Sequence, residues 1–310
     1  MKNARVTRGG SALILSLWAL LLLSAAVFAW LKLINQNITI SGEANAGLDA
    51  KALAHSGVQV ALNERVTQLT PLLQNQFGPD RSYKVQLKGE AGKLNLNWIF
   101  QSAINPQPTQ DSLARVEIFK RYLERRGLSF EERETLVDCM LDWIDPDNLV
   151  RMHGAEDGPN YHPPNRGQFV GVEEIAQIKG SKPLVSQPGW KDDLTIYTNP
   201  GTIDLQWAPV SVLQVLPNVG DARAVNFVKF RQGPDGLDGT NDDHIFKDIN
   251  EAFQFLGLAG DARNALAPYV TLNDRMVHIV SIGQSGKVYR QVEVVARKLG
   301  AQPQILWWKE

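Results

Sequence analysis

The sequence predicts an α+β protein: a long N-terminal helix packed on a small antiparallel sheet, the sheet interrupted in the chain by a large all-helical insertion. Three observations carry this. An uncharged stretch from Gly9 to Leu31 runs on into residues with helical apolar spacing. Segments with strand alternation fall near residues 82–98 and again after residue 275. The long segment between them is patterned for helices.

Size and composition set the frame. A chain of 310 residues is long enough for roughly two compact units. Its 44% apolar and 21% charged residues are ordinary globular usage, which argues against wholesale disorder. Thirty-two Lys and Arg against thirty-three Asp and Glu leave a formal charge of −1, so no global electrostatic case exists for a nucleic-acid binder. Cys139 is the only cysteine, which excludes an intramolecular disulfide and a thiolate cluster.

At the N-terminus, Lys2, Arg5 and Arg8 precede the uncharged run from Gly9 to Leu31. At about 1.5 Å per residue that run reaches about 34 Å as a helix, enough to cross the roughly 30 Å hydrocarbon layer of a bilayer. Three cations before it and only Lys32 just after it favour a cytoplasmic N-terminus, with everything downstream translocated. Two processing readings stay open. Val27-Phe28-Ala29 is an acceptable signal-peptidase site, which would release the rest. Alternatively, Arg8-Gly9-Gly10 immediately before Ser11-Ala12-Leu13-Ile14-Leu15 resembles a type IV prepilin leader. That resemblance implies cleavage after Gly10 by a prepilin peptidase, N-methylation of Ser11, and retention of the helix. Most pilins carry Glu at the fifth mature position; here it is Leu15. The leader glycine and apolar fifth residue resemble the K-type minor pseudopilins of the type II secretion system.

Beyond the span, Leu48, Ala52, Val58, Leu62, Val66 and Leu69 follow steps of three or four, one face of a helix that Pro71 is expected to end. His55 on that face reads as a packed or hydrogen-bonded core residue. Tyr83, Val85 and Leu87, then Leu94, Leu96 and Trp98, alternate with polar residues. Gly89-Glu90-Ala91-Gly92 between them reads as the loop of a β-hairpin. Further strands are expected over Met276–Ile282, Val288–Ala296 and Ile305–Trp308, with a turn at Gly283-Gln284-Ser285-Gly286. Gly286-Lys287 is no phosphate loop, because Ser281 and Val288 stand where the pattern needs glycine and a hydroxyl.

The middle, about residues 105–270, is helix-patterned: Leu113, Val116, Phe119, Tyr122 and Leu123, then Leu136, Val137, Met140, Leu141 and Ile144. Cys139 reads as a packed apolar residue. Asp138, Asp142 and Asp145 recur at steps of four and three, a spacing that can gather carboxylates but more commonly marks a solvated face, the reading favoured here. The insertion resembles the K-type subunit's helical domain, with SAM-like and helix-hairpin-helix-like units. The implied organisation is a leader (1–10), a transmembrane helix (11–33), helix and first strands of a pilin-like domain (34–104), two helical units (105–200 and 201–270) and completing strands (271–310).

Two features could carry chemistry. Leu213 to Ala224 resembles a helix-hairpin-helix turn leading into a helix over Ala224–Arg231. Asn218 replaces its first glycine and Asp221 puts a carboxylate where phosphate would approach, so packing or protein docking is expected and nucleic acid is not. The run from Gly233 to Asp243 holds Asp235, Asp238, Asp242 and Asp243 among three glycines, a concentration of hard oxygen ligands suited to calcium but not an EF-hand. A solvated acidic turn is the alternative; K-type subunits bind calcium, and the resemblance implies it here without identifying each ligand. No HExxH, nucleophile elbow or dinucleotide glycine pattern occurs, so no enzyme is expected. The resemblance implies a structural subunit at the tip of a periplasmic pseudopilus, helping initiate its assembly for export. Its partners would be I-type and J-type pseudopilins, the prepilin peptidase and the inner-membrane secretion platform. A membrane-anchored DNA-binding module and a secreted calcium-binding protein are the competing readings.

Overall fold

The computed structural model describes residues 9–198, 201–240, 242–272, 274–299 and 302–310, leaving out the side chains of residues 9–12 and 37–41. Helix α1 (Gly9–Leu62) is 54 residues long. Its stretch Leu13–Gln36 is apolar enough to cross a membrane and none of it is buried. Farther along, Ala50, Leu53, Ala54, Gly57, Val58, Ala61 and Leu62 form the buried face. Leu48 and Ala52, expected on that face, point to solvent. Gly47 is buried as well, so five of these eight residues are Ala or Gly, and with side chains so short the helix lies almost on the sheet backbone. The chain leaves the helix at Leu62, well before Pro71: Asn63 Oδ1 accepts from the Arg65 amide (3.0 Å) and Thr70 Oγ1 from that of Thr67 (2.9 Å). Such side-chain acceptors offer the backbone an alternative to helical pairing.

After α1 come β1 (Gln74–Gln76), β2 (Arg81–Gly89), β3 (Leu94–Asn95), α2 (Leu96–Phe100), α3 (Gln110–Arg125), α4 (Phe130–Ile144) and α5 (Lys182–Val185). Then follow β4 (Leu194–Thr195), β5 (Ile203–Asp204), α6 (Val210–Leu213), α7 (Gly220–Gln232), α8 (Ile249–Phe255), α9 (Gly260–Leu266), β6 (Val270–Thr271), β7 (Met276–Ser285), β8 (Val288–Arg297) and β9 (Gln304–Lys309). The main sheet runs β1-β2-β7-β8-β9, all neighbours antiparallel. Tyr83, Val85 and Leu87 of β2 point inward, as their alternation predicts, and join Ile279, Val292 and Val294 under α1.

The expected hairpin over residues 82–98 does not form. β2 pairs instead with β7, Val85 opposite Ser281, almost two hundred residues away in the chain. Glu90–Gly92 make a turn of 3-10 helix, and Asn95 caps α2 by accepting from the Trp98 amide (3.0 Å). Leu96, Ile99 and Phe100 are then buried with helical spacing, and β3 pairs parallel with β4. The β7–β8 turn is also tighter than expected. Ser285 pairs with Val288, so only Gly286 and Lys287 turn, Gly286 at φ 57°, while Gly283 and Gln284 remain in the strand.

The insertion has its own core, continuous from Leu94 to Val270 and distinct from the cluster under α1. Phe100, Phe119 and Phe169 meet edge to face, and Phe227 stacks on Phe246 in the same core, so the segments before and after residue 200 share one interior. Thr109 caps α3, and Ser129 with Glu132 forms a capping box on α4.

Candidate functional site

Gly10 and Ser11 lie in the first turn of α1, which continues unbroken past them; their side chains fall outside the described residues. Leu15 is 70% exposed on the bare apolar stretch, as a lipid-facing residue would be. His55 is half-buried beside the Trp308 ring, with Nε2 2.8 Å from Glu310 Oε1.

The acidic loop follows α7, and its four expected ligands divide. Asp238 Oδ1 accepts from Arg231 Nε (3.2 Å) and Nη2 (2.9 Å), and its Oδ2 accepts from Gln232 (3.0 Å). Arg231 is 1% exposed and also donates to the carbonyls of Leu205 (3.1 Å) and Ala208 (2.8 Å), so a buried guanidinium ties the loop to the insertion. Asp235, Asp242 and Asp243 close turns. Asp235 Oδ1 accepts from the Leu237 amide, Asp242 Oδ2 from the Asp235 amide, and Asp243 Oδ2 from the Gly239 amide. The Thr240 hydroxyl on Asp242 holds that carboxyl below its ordinary range, whereas burial raises that of Asp243. Three of the four carboxylates therefore keep oxygens suited to a hard cation, while Asp238 already carries one in Arg231. Asn241 lies outside the described residues.

At the hairpin, Asn218 takes φ 62°, which shows why glycine stands there in related turns and why Asn is the best replacement. Helix α7 begins at Gly220 rather than Ala224. Asp221 pairs with Arg125 of α3 (2.5 Å) and Arg223 donates to the Asn218 carbonyl (2.8 Å), so both face the protein's own elements. Gly260-Asp261-Ala262-Arg263 at the start of α9 repeats Gly220-Asp221-Ala222-Arg223, with Gly220 and Gly260 both at positive φ. That repeat was visible in the sequence, and the single-hairpin reading missed it.

The solvated-face reading of α4 fails for two of its three carboxylates. Asp142 is 0% and Asp145 1% exposed; only Asp138 stays near the surface, accepting from the His153 amide (3.1 Å). Arg151 Nη1 donates to Asp142 Oδ1 (2.5 Å) and to Asp145 Oδ2. The loop then brings in Glu156, 9% exposed, and one oxygen from each of Asp142, Asp145 and Glu156 lies within 4.8 Å of the others. Asp145 Oδ1 and both oxygens of Glu156 have no hydrogen-bond partner. Burial, reinforced by Asp145 and Asp142, pushes the Glu156 carboxyl up to about 7. Cys139 is buried one turn away, its thiol pushed up to about 11 by burial and then by Asp142.

A helix long and apolar enough to cross a membrane, continuing onto an antiparallel sheet with helices inserted between its strands, is an α+β architecture of the pilin-like kind. Residues 92–187 match the family described as type II secretion system protein K. A Pseudomonas aeruginosa type II secretion system protein K is 28% identical over 234 residues, 70% of this chain and 65% of that protein. An Escherichia coli K12 protein, provisionally described as protein K of that system, is 31% identical over 139 residues, 42% of each chain. The alignments thus span between two fifths and two thirds of these relatives' lengths. The solved GspK-GspI-GspJ complex from the enterotoxigenic Escherichia coli type 2 secretion system shares the fold, with a TM-score of 0.58 at 13% identity over 88% of this chain and 98% of that one. Over residues 92–187 the chain is thus similar to the type II secretion system protein K family, and its fold is that of the solved complex's match.

Proposed function

We propose that this chain is a minor pseudopilin of the type II secretion pathway, held in the inner membrane by α1 with its N-terminus cytoplasmic and its folded part periplasmic. It sits at the tip of the pseudopilus beside I-type and J-type subunits and helps start assembly for export. The role is structural rather than catalytic. One observation carries the reading: the whole insertion, about residues 94–270, enters between β2 and β7 of the sheet that packs on α1. A subunit inside a helical fibre must accept neighbours above and below, and so large a protrusion blocks one of them, whereas a terminal subunit tolerates it. Leu15 fits the same place, because it lacks the carboxylate that would pair with a neighbour's terminal amine. The solved relative's complex with I and J proteins supports the choice of partners. Co-expression of the full chain with its I-type and J-type partners tests it: a stoichiometric ternary complex extracted from inner membranes supports the reading, and failure to associate with either partner overturns it.

The acidic loop supports calcium through Asp235, Asp242 and Asp243, with Asp238 holding Arg231 instead. Bound ion would add stability by mass action. A melting temperature unmoved by chelator would remove calcium from the loop.

A further inference from the structure

We infer that the cleft between the segment following α1 and the helical insertion binds a small organic carboxylate with an apolar body, whose charge Lys298 receives. Burial is the starting point. Lys298 directly follows β8, and its amide donates to the Arg275 carbonyl (2.9 Å), which fixes the backbone there. The residue is 7% exposed, and Nζ donates to a single acceptor, the Val66 carbonyl (2.7 Å). An ammonium carries three donors, so two of them have no acceptor among the described residues. Lysine is almost never buried this deeply unless it is paired, yet no carboxylate among the described residues pairs with this one. Burial alone pulls the amine down to about 8, with no acid holding it up. An anion is the missing partner.

The cleft supplies the rest of the site. It measures about 440 Å³, within the range of small-molecule pockets. Three parts of the fold meet in it: Leu69 from the segment after α1, Leu87 and Val277 from the sheet, and Trp207 and Ile245 from the insertion. Leu69 is 38% and Ile245 41% exposed, apolar surface that the body of a ligand would cover. Glycine seats the indole: a Cβ on Gly89 would fall 2.1 Å from Trp207 Cδ1, so only a bare α-carbon lets Trp207 lie against the end of β2. The other charged residues of the cleft are already engaged. Arg275 Nη1 is 3.6 Å from Glu64 Oε1, and Asp274 Oδ1 accepts from the Met276 amide (2.7 Å). Lys298 is the one left without a counterpart. A single negative charge suits it better than a phosphate, whose second charge would meet Glu64 and Asp274 in the same cleft. None of this depends on a place in the pseudopilus, so the site stands or falls separately from the assembly role.

The test titrates the full chain in detergent at pH 7 with 4-phenylbutanoate and, separately, with its neutral amide, 4-phenylbutanamide. Saturation-transfer NMR reads binding, and uptake by protein-free micelles is subtracted. The wild type should bind the acid saturably and the amide about tenfold more weakly or worse, the factor expected for losing a hydrogen bond to a charged group. Lys298→Met preserves most of the side chain's length without its ammonium. It should weaken the acid by a similar factor and leave the amide unchanged. Equal binding of acid and amide by the wild type overturns the proposal without any variant, as does the absence of saturable binding of the acid. Undiminished binding of the acid by Lys298→Met, folded by near-ultraviolet circular dichroism, overturns it too.

Discussion

Replacing Gly283 by alanine probes the packing on which the helix-and-sheet frame depends. Gly283 lies in mid-strand, opposite Tyr83 on one side and Arg290 on the other, with its α-carbon against α1. A Cβ there would lie 2.0 Å from the Ala50 carbonyl oxygen and 2.5 Å from the Ala54 nitrogen. Both are helix backbone atoms, so no side chain can rotate aside. Restoring an ordinary contact of 3.4 Å requires α1 to lift by about 1.4 Å. That displacement breaks the bond from Ser281 Oγ to the Ala54 carbonyl (2.7 Å) and loosens Val58 and Leu53 from their cluster. Overpacking costs about 1–3 kcal/mol and the lost hydrogen bond about 1 more. A total near 3 kcal/mol corresponds to a fall of roughly 6–12 °C in melting temperature for a domain of this size. Thermal unfolding of the detergent-solubilised full chain measures it. Gly42→Ala is the control: nothing lies within 4 Å of its Cβ, and alanine is the better helix former by about 1 kcal/mol. A Gly283→Ala protein melting within about 2 °C of wild type would refute the close-contact argument.

Arg231→Ala should cost about 3–5 kcal/mol in urea unfolding, because it strands Asp238 and the carbonyls of Leu205 and Ala208; a loss below about 1 kcal/mol would mean the buried guanidinium is dispensable. In chelator, stability should fall as pH rises from about 4.5 to 7, because the Glu156 carboxyl holds its proton to about 7 when folded but releases it near 4.5 when unfolded. The effect is at most about 3 kcal/mol, and burial-raised Asp204, at about 6, adds in the same direction. A denaturant midpoint that rises steadily over that window contradicts this. Cys139, with its thiol at about 11, should react with iodoacetamide at pH 8 about a hundredfold more slowly in the folded chain than in urea; comparable rates would show that the thiol is neither buried nor raised.

Sequence periodicity revealed the elements whose partners are local or whose burial is one-sided. The alternation of Tyr83, Val85 and Leu87, the C-terminal strands, and the stripe Leu136, Val137, Met140, Leu141 and Ile144 all occupy the structures they suggest. The failed hairpin has a physical cause. Leu94, Leu96 and Trp98 alternate in the chain, but the Asn95 side chain starts a helix there, and the true partner of β2 comes only after the insertion. Register across so long a gap leaves no local trace. The acidic trio was misread for a similar reason. Carboxylates at helical spacing look like a wet face until Arg151 and Glu156 return from beyond the helix end and enclose Asp142 and Asp145, which helical spacing alone does not foretell.

The most direct measurement is the first residue of the mature chain, read by mass spectrometry or Edman degradation on protein extracted from inner membranes. Membrane-retained chains beginning at N-methylated Ser11, with α1 still attached, are the expected result. Chains beginning at Trp30 and recovered free of the membrane would contradict the assignment to a pseudopilus.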